Sequence, residues 1–125
     1  MGCFYTGFDY YNRVNGYFKI GETEKQTPAA RWATIRHYDH FQGLAYLVLK
    51  GETKSERLFV ESYVRMKFEK FYKQTQNDHF LYTIEKGRKY EQANEMSEQA
   101  IALAIEACEI AGINWERGTK TYKRG

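Results

Sequence analysis

An Asn-Gly dipeptide at positions 15 and 16 separates two runs of strand-forming residues, and it constrains the fold more than any other feature. The run at 3–8 reads Cys-Phe-Tyr-Thr-Gly-Phe, and the run at 16–23 reads Gly-Tyr-Phe-Lys-Ile-Gly-Glu-Thr. Asn-Gly suits the tight turn of a hairpin because both residues tolerate positive φ. The two runs are therefore predicted to be neighbouring antiparallel strands.

The second strand is predicted to have one apolar and one polar face. Phe18 and Ile20 alternate with Tyr17 and Lys19, which is the period of two residues that a half-buried strand shows. Gly21 is expected to end the strand, at a point that needs positive φ or a close backbone neighbour. The hairpin should then present tyrosine and lysine side chains on one surface.

The remaining periodicity predicts three helices and two further strands. Thr53 and Glu56 form a capping box that marks the start of the second helix, and Gly112 is a C-terminal stop for the third. These elements are a helix at 28–37, a buried central strand at 44–49, a helix at 54–72, a strand at 79–84 and a helix at 88–111. The predicted fold class is α+β, with a small, mostly antiparallel sheet flanked by helices and an added C-terminal helix.

Apolar positions predict which side of each helix is buried. Trp32 and Ala33 should face the core from the first helix, whereas Arg31 and Arg36 should stand away from it. The second helix is expected to bury a wide stripe made of Leu58, Phe59, Ser62, Val64, Met66, Phe68 and Phe71. The third helix has a stripe rich in small residues, which suggests close packing on another helix of this domain or of a partner chain.

Composition limits the class of protein. With 125 residues and 14.8 kDa, the chain is long enough for one domain and one core. A net charge of +3 and a pI near 8.8 allow a nucleic-acid partner. Cys3 and Cys108 are too few for a disulfide framework, and no leader or membrane-spanning pattern is evident, so a cytoplasmic location is expected.

Several motifs, in order along the chain, resemble those of the GIY-YIG nuclease superfamily. Residues 2–5, Gly-Cys-Phe-Tyr, stand where that family has GIY, and residues 19–21, Lys-Ile-Gly, are similar to the KIG variant of its phage-type branch. An arginine follows on the first helix, and Glu61 lies midway along the second. Asn77 stands where the family has a late asparagine. The resemblance implies a nuclease domain at 1–86, followed by an amphipathic helix at 87–112 and a basic tail at 113–125.

The resemblance also implies roles for individual residues. Glu61 would hold one Mg²⁺ or Mn²⁺ ion, and a helix arginine would pair with phosphate oxygens. Tyr5 would accept the proton of the attacking water, assisted by Lys19 or Tyr17. The active-site arginine is either Arg31 or Arg36, since the latter is followed one turn later by a histidine, as also occurs in family members. The residues predicted to contact nucleic acid are Arg36, His40, Lys120, Lys123 and Arg124.

The expected function is therefore divalent-metal-dependent hydrolysis of phosphodiester bonds in DNA, with a homodimer or a protein partner as a further possibility. Each residue also has a simpler explanation, because helix glutamates commonly form i, i+4 ion pairs and edge-strand lysines discourage aggregation. Two alternatives stay open. One is a nucleic-acid-binding module that no longer cleaves, and the other is a phage-type interaction factor that acts through the C-terminal helix.

Overall fold

The architecture was obtained as a computed structural model, which describes residues 2–9, 17–38, 41–50, 53–76, 79–81 and 89–118. These residues form six strands and three helices. In chain order the elements are β1 (Gly2–Asp9), β2 (Tyr17–Thr23), α1 (Ala29–Tyr38), β3 (Phe41–Lys50), α2 (Lys54–Phe68), β4 (Gln74–Gln76), β5 (His79–Leu81), α3 (Lys89–Ala111) and β6 (Asn114–Arg117).

The six strands form one sheet in the order β4-β5-β2-β1-β3-β6, and every neighbouring pair is antiparallel. The α+β fold class is thereby confirmed. β1 and β2 pair from Phe8 opposite Phe18 to Cys3 opposite Thr23, as the hairpin prediction requires. The turn at 15–16 lies outside the described residues.

The sheet has a different cover on each face. On one face, the alternate residues Phe4 and Phe8 of β1 join Phe18 and Ile20 of β2 in the main core. α2 packs over β1 and β2, α3 packs over β1 and β3, and the two helices pack on each other. Their contributions to this core are Val60, Val64 and Phe68 from α2 and Ala93, Met96, Ala100, Ile101, Ala104, Ala107 and Cys108 from α3.

The other face carries α1 and a smaller aromatic cluster. Tyr5, Trp32 and Phe41 are its buried members. The indole of Trp32 meets the ring of Tyr5 edge-on, with 6.5 Å between the ring centroids, and the ring of Tyr46 in the same way at 6.1 Å. In β1 and β2, alternate residues therefore face one cluster or the other.

A buried hydroxyl pair joins three elements at an irregular point of the sheet. The pairing of β1 with β3 shifts register between Thr6 and Gly7. There the backbone N–H of Ala45 donates to the Thr6 hydroxyl oxygen at 3.1 Å, and the hydroxyls of Thr6 and Ser97 lie 2.7 Å apart. Thr6 thus supplies a partner where the strand ladder is disrupted.

Several element boundaries differ from the prediction. β3 begins at Phe41, three residues before the predicted start at residue 44. β4 was not predicted. α2 begins with the predicted capping box but ends at Phe68, four residues early. The strand expected at 79–84 is described only as far as Leu81. β4 reads Gln-Thr-Gln and contains no apolar residue, so no hydrophobic period marks it as a strand.

The expected stripe of α2 was partly wrong. Val60, Val64 and Phe68, spaced by four, face the sheet. Met66 and Phe71 are 61% and 76% exposed, and Leu58 and Phe59 are also exposed. On α1, Trp32 is buried as predicted but Ala33 is exposed. One sheet-facing row is sufficient for a helix that also packs on α3, so the outer apolar residues remain at the surface.

α3 and the segment after it are both anchored to the core. Gly112 has φ 71°, and the Ile113 N–H donates to the Cys108 carbonyl at 2.8 Å, which confirms the predicted glycine stop. The chain then returns as β6 rather than as the expected tail. Arg117 of β6 donates two hydrogen bonds to the Glu98 carboxylate, at 3.0 and 2.5 Å, and holds the pKa of Glu98 below its usual range.

Most small residues of α3 face inward, onto the core of this chain, whereas Ala102 and Ala111 are exposed. The expected boundary at residue 86 lies outside the described residues. None of the three helices in the described ranges is both long enough and apolar enough to cross a membrane.

Thr6→Val should lower the free energy of unfolding by about 1–3 kcal/mol, because the Ala45 N–H and the Ser97 hydroxyl would lose a buried partner. Urea denaturation followed by circular dichroism measures this. Thr34→Val is the matched control, since the Thr34 hydroxyl bonds the Ala30 carbonyl on an exposed part of α1. Equal effects of the two substitutions would contradict a special role for the buried pair.

Candidate functional site

The hydroxyl of Tyr5 points across β2 at Gly21. These two residues are directly opposite each other in the β1–β2 pairing. A Cβ atom on Gly21 would overlap the Tyr5 ring, and its nearest neighbour would be the phenolic oxygen. The prediction that Gly21 ends the strand was wrong, because β2 continues to Thr23. The φ angle of Gly21 is not positive. Glycine is needed there because the Tyr5 ring occupies the place of a side chain.

The outer edge of β2 is only partly paired. β5 pairs with Tyr17, Phe18 and Lys19, and no strand in the described part of the chain pairs beyond them. On the main-core face of this edge, the Arg57 Nε donates to Glu22 Oε2 at 2.9 Å. Both side chains are largely buried, so this ion pair ties the start of α2 to the end of β2.

Glu61 lies one helical turn after Arg57, on the same margin of α2. The opposite margin carries Tyr63, whose hydroxyl bonds Glu106 of α3, an interaction that raises the pKa of Tyr63. The Glu61 margin is therefore the one that points away from α3 and toward the outer edge of β2. Glu61 itself is half-buried.

We refer to Tyr5, Gly21, Glu22, Arg57 and Glu61 together as the β2-edge site. Tyr5 belongs to the α1 face of the sheet, and Glu61 belongs to α2 on the opposite face. The ion pair between Glu22 and Arg57 was not predicted. The sequence shows that Arg57 and Glu61 are spaced i, i+4 on one side of the helix. That Arg57 pairs with Glu22 of β2 depends on the packing of α2 on β2, which the sequence does not show.

Lys19 and Tyr17 share the α1 face with Tyr5, as the alternation predicted, but this surface is covered. Tyr5 is 1% exposed and Lys19 is 6% exposed, while Tyr17 is half-buried against the aromatic cluster. Lys19 is two residues from Gly21, and hence a diagonal neighbour of Tyr5 across the pair of strands. The hairpin therefore does not offer its phenol and ammonium groups directly to solvent.

Arg31 and Arg36 are both exposed on α1 but lie on opposite margins of the helix. The buried side of α1 is marked by Trp32 and by Ile35, which packs on the aromatic cluster. With 3.6 residues per turn, Arg31 falls to one side of this row and Arg36 to the other. At most one of the two arginines therefore lies on the side of α1 that faces the β2-edge site. Both are exposed, so exposure does not distinguish them.

Other candidate residues lie outside the described ranges. These are His40, Asn77, Lys120, Lys123 and Arg124. Among the described residues, no group of three or more histidine, cysteine, aspartate or glutamate side chains is placed to hold a metal ion. The β2-edge site contains two carboxylates, that of Glu61 and that of Glu22, and the latter is bonded to Arg57.

Both cysteines are buried, and neither forms a disulfide. Burial raises the pKa of the Cys108 thiol to about 11, so little thiolate forms near neutral pH. Cys108 borders a groove of about 500 Å³ with Lys50 and Trp115, at the far edge of the sheet from the β2-edge site. The Cys108 thiol is therefore remote from the carboxylate and phenol described above.

Comparison of the chain with models of protein families, with curated proteins and with solved structures found no match. The function has to be argued from the residues and their geometry.

Gly21→Ala should lower the free energy of unfolding by about 1–3 kcal/mol, since the new methyl group would overlap the Tyr5 ring. The loss should be smaller when Tyr5→Phe has removed the nearest atom. A double-mutant cycle in urea, measured on the two single variants and the double variant, gives the coupling. If Gly21→Ala costs the same in both backgrounds, the Tyr5 hydroxyl does not lie across Gly21.

Proposed function

We propose that this protein is a divalent-metal-dependent endonuclease that hydrolyses phosphodiester bonds in DNA at the β2-edge site. One observation carries the proposal. The Tyr5 hydroxyl lies over Gly21 on one face of β2, and on the other face the neighbouring Glu22 bonds Arg57, one helical turn before Glu61. No described strand pairs with this part of β2. The motifs on which the nuclease resemblance rests supply Tyr5 and Glu61 as candidates.

The chemistry requires a metal-bound phosphate, a proton acceptor and cations for the phosphoryl oxygens. Glu61, which is half-buried on α2, is the residue that would hold Mg²⁺ or Mn²⁺, because it stands where the family that the chain resembles has its metal-binding glutamate. A single protein carboxylate suits Mg²⁺, which keeps several waters and takes other ligands from the substrate. When bound, the ion would neutralise charge on the phosphate and activate a water.

The remaining residues have roles that follow from their positions. Tyr5, whose hydroxyl lies over Gly21, accepts the proton of the attacking water. Lys19, which is buried and diagonal to Tyr5 across the two strands, assists it. An exposed arginine of α1 forms a two-pronged contact with the phosphate oxygens. Tyr17 lines the same face of β2.

A second candidate function is nucleic-acid binding without cleavage. The burial of Tyr5 favours it, because the hydroxyl can meet a substrate only along the strand edge.

The third hypothesis, interaction through the C-terminal helix, has less support. The small-residue face of α3 is used for packing within this chain, so only its outer residues would remain for a partner.

Glu61→Gln should reduce nicking of supercoiled plasmid in Mg²⁺ or Mn²⁺ by at least about 100-fold, because the neutral amide is a poor ligand for a hard cation. The protein should remain folded, as followed by circular dichroism. Glu69→Gln, on an exposed glutamate just after α2, is the matched control and should nick like the wild type. Chelator should stop the wild type. Unchanged nicking by Glu61→Gln would exclude Glu61 as the metal ligand.

Arg31→Ala should lower kcat/KM for nicking by about 100-fold, which corresponds to about 3 kcal/mol less transition-state stabilisation. Sequence order after the Lys-Ile-Gly motif favours Arg31 for the phosphate contact. Arg36→Ala should cost less than about tenfold, since it lies on the other margin of α1. Steady-state nicking rates for the two variants decide between them. If Arg36→Ala lowers the nicking rate more than Arg31→Ala does, Arg36 and not Arg31 makes the phosphate contact.

A further inference from the structure

Phe71 is the most exposed of the large apolar side chains in the described part of the chain, with 76% of its surface accessible. It follows the end of α2, where an apolar stripe had been expected to bury it. Surface aromatics occur singly in many proteins without a role. The surroundings of Phe71 distinguish it from such cases.

The turn that carries Phe71 is held firmly. Its N–H donates to the Phe68 carbonyl at 3.0 Å, and the N–H of Tyr72 donates to the same carbonyl at 2.8 Å. The ring of Tyr72 packs on that of Phe68, and its hydroxyl donates to the Gln99 side chain of α3 at 2.6 Å. The phenyl ring is thereby presented to solvent from a fixed backbone.

Positive charge is concentrated around this turn. Lys70 and Lys73 are exposed on either side of Phe71, and Lys67 lies one turn earlier with its ammonium 5.4 Å from the centre of the Tyr63 ring. Glu69 is the one carboxylate among residues 66–73. Residues 54–73 carry six basic and three acidic side chains, an excess equal to the net charge of +3 of the whole chain.

We propose that Phe71 is a stacking platform for an unpaired nucleobase, and that Lys70 and Lys73 contact the adjoining phosphates. An exposed aromatic ring between cations is the arrangement that binds single-stranded nucleic acid. The substrate class is then DNA with a single strand or unpaired nucleotides beside the cut. This inference rests on the proposed nuclease function.

The distance to the β2-edge site fits this substrate. Phe71 is ten residues after Glu61, which is about 15 Å along the helix direction at about 1.5 Å per residue. Stacked nucleotides advance by about 3.4 Å each, so about four of them would span the interval. An unpaired segment of that length can place one base on Phe71 while a phosphate lies near Glu61.

An anionic lipid surface would also attract an aromatic ring among lysines. The structure favours nucleic acid because Phe71 stands in a turn, with a carboxylate at Glu69, rather than at the centre of an apolar plane. Leu58 and Phe59 are about three turns away along α2. Lipid binding is therefore an outcome of the test and not part of the proposal.

The test is binding of fluorescent oligothymidylate and of a duplex of the same length, measured by anisotropy on the full chain in chelator so that no cleavage occurs. Phe71→Ala should weaken binding of the single strand by about tenfold and leave duplex binding unchanged. Phe71→Tyr should restore single-strand binding to within about twofold. Met66→Ala removes another exposed apolar side chain of α2 and should have no effect.

The double variant Lys70→Gln, Lys73→Gln should bind both the single strand and the duplex more weakly. It should also reduce the salt dependence of single-strand binding. The slope of log affinity against log salt concentration should fall by about 0.7 for each phosphate that is no longer neutralised. Equal single-strand affinity in wild type and Phe71→Ala would overturn the proposal, as would Phe71-dependent sedimentation with phosphatidylserine vesicles in place of oligonucleotide binding. Plasmid nicking by the wild type and its abolition in Glu61→Gln test the nuclease function separately. The binding experiment can therefore refute the stacking site without refuting the nuclease function.

Discussion

The packing of aromatic rings across glycines holds the α1 face of the sheet together. The rings of Tyr5, Phe41, Trp32 and Tyr46 occupy the places where side chains would stand at Gly21, Gly7, Gly43 and Gly118, respectively. Each ring bridges a residue that has no Cβ of its own. This arrangement lets a face covered by a single ten-residue helix exclude water, because flat rings lie on the strands themselves.

The same packing explains where the candidate site can form. The Tyr5 ring leans across Gly21, and its hydroxyl is the atom nearest to the place of a Gly21 side chain. The other face is covered by two long helices, of which α2 packs on β2 and β1 and α3 mainly on β3 and β1. The phenol and the Glu61 carboxylate of the proposed site therefore belong to opposite faces of the sheet, and β2 is the strand beside which both lie.

The sequence was sufficient for features whose signals are local. The capping box at Thr53 and Glu56 and the glycine stop at Gly112 each depend on a few neighbouring residues, and both are present. The exposure of Phe71 and the burial of Lys19 depend instead on which distant elements cover the surface. The short edge strands β4 and β6 have no apolar period, and only their pairing partners fix them as strands. Gly21 was misread as a strand end, because a glycine that accommodates a ring and one that permits positive φ look alike in a sequence.

The residues on which the resemblance to GIY-YIG nucleases rests differ in what they contribute to packing. Phe4 lies in the main core, and Cys3 is buried on the other face, so both side chains are used for packing. The Tyr5 ring also belongs to a packed cluster, but its hydroxyl lies over Gly21 of β2. Lys19 is buried on the same face, diagonal to Tyr5 across the two strands. Of the residues in these two strands, Tyr5 is therefore the one for which the proposed cleavage chemistry requires a role beyond packing.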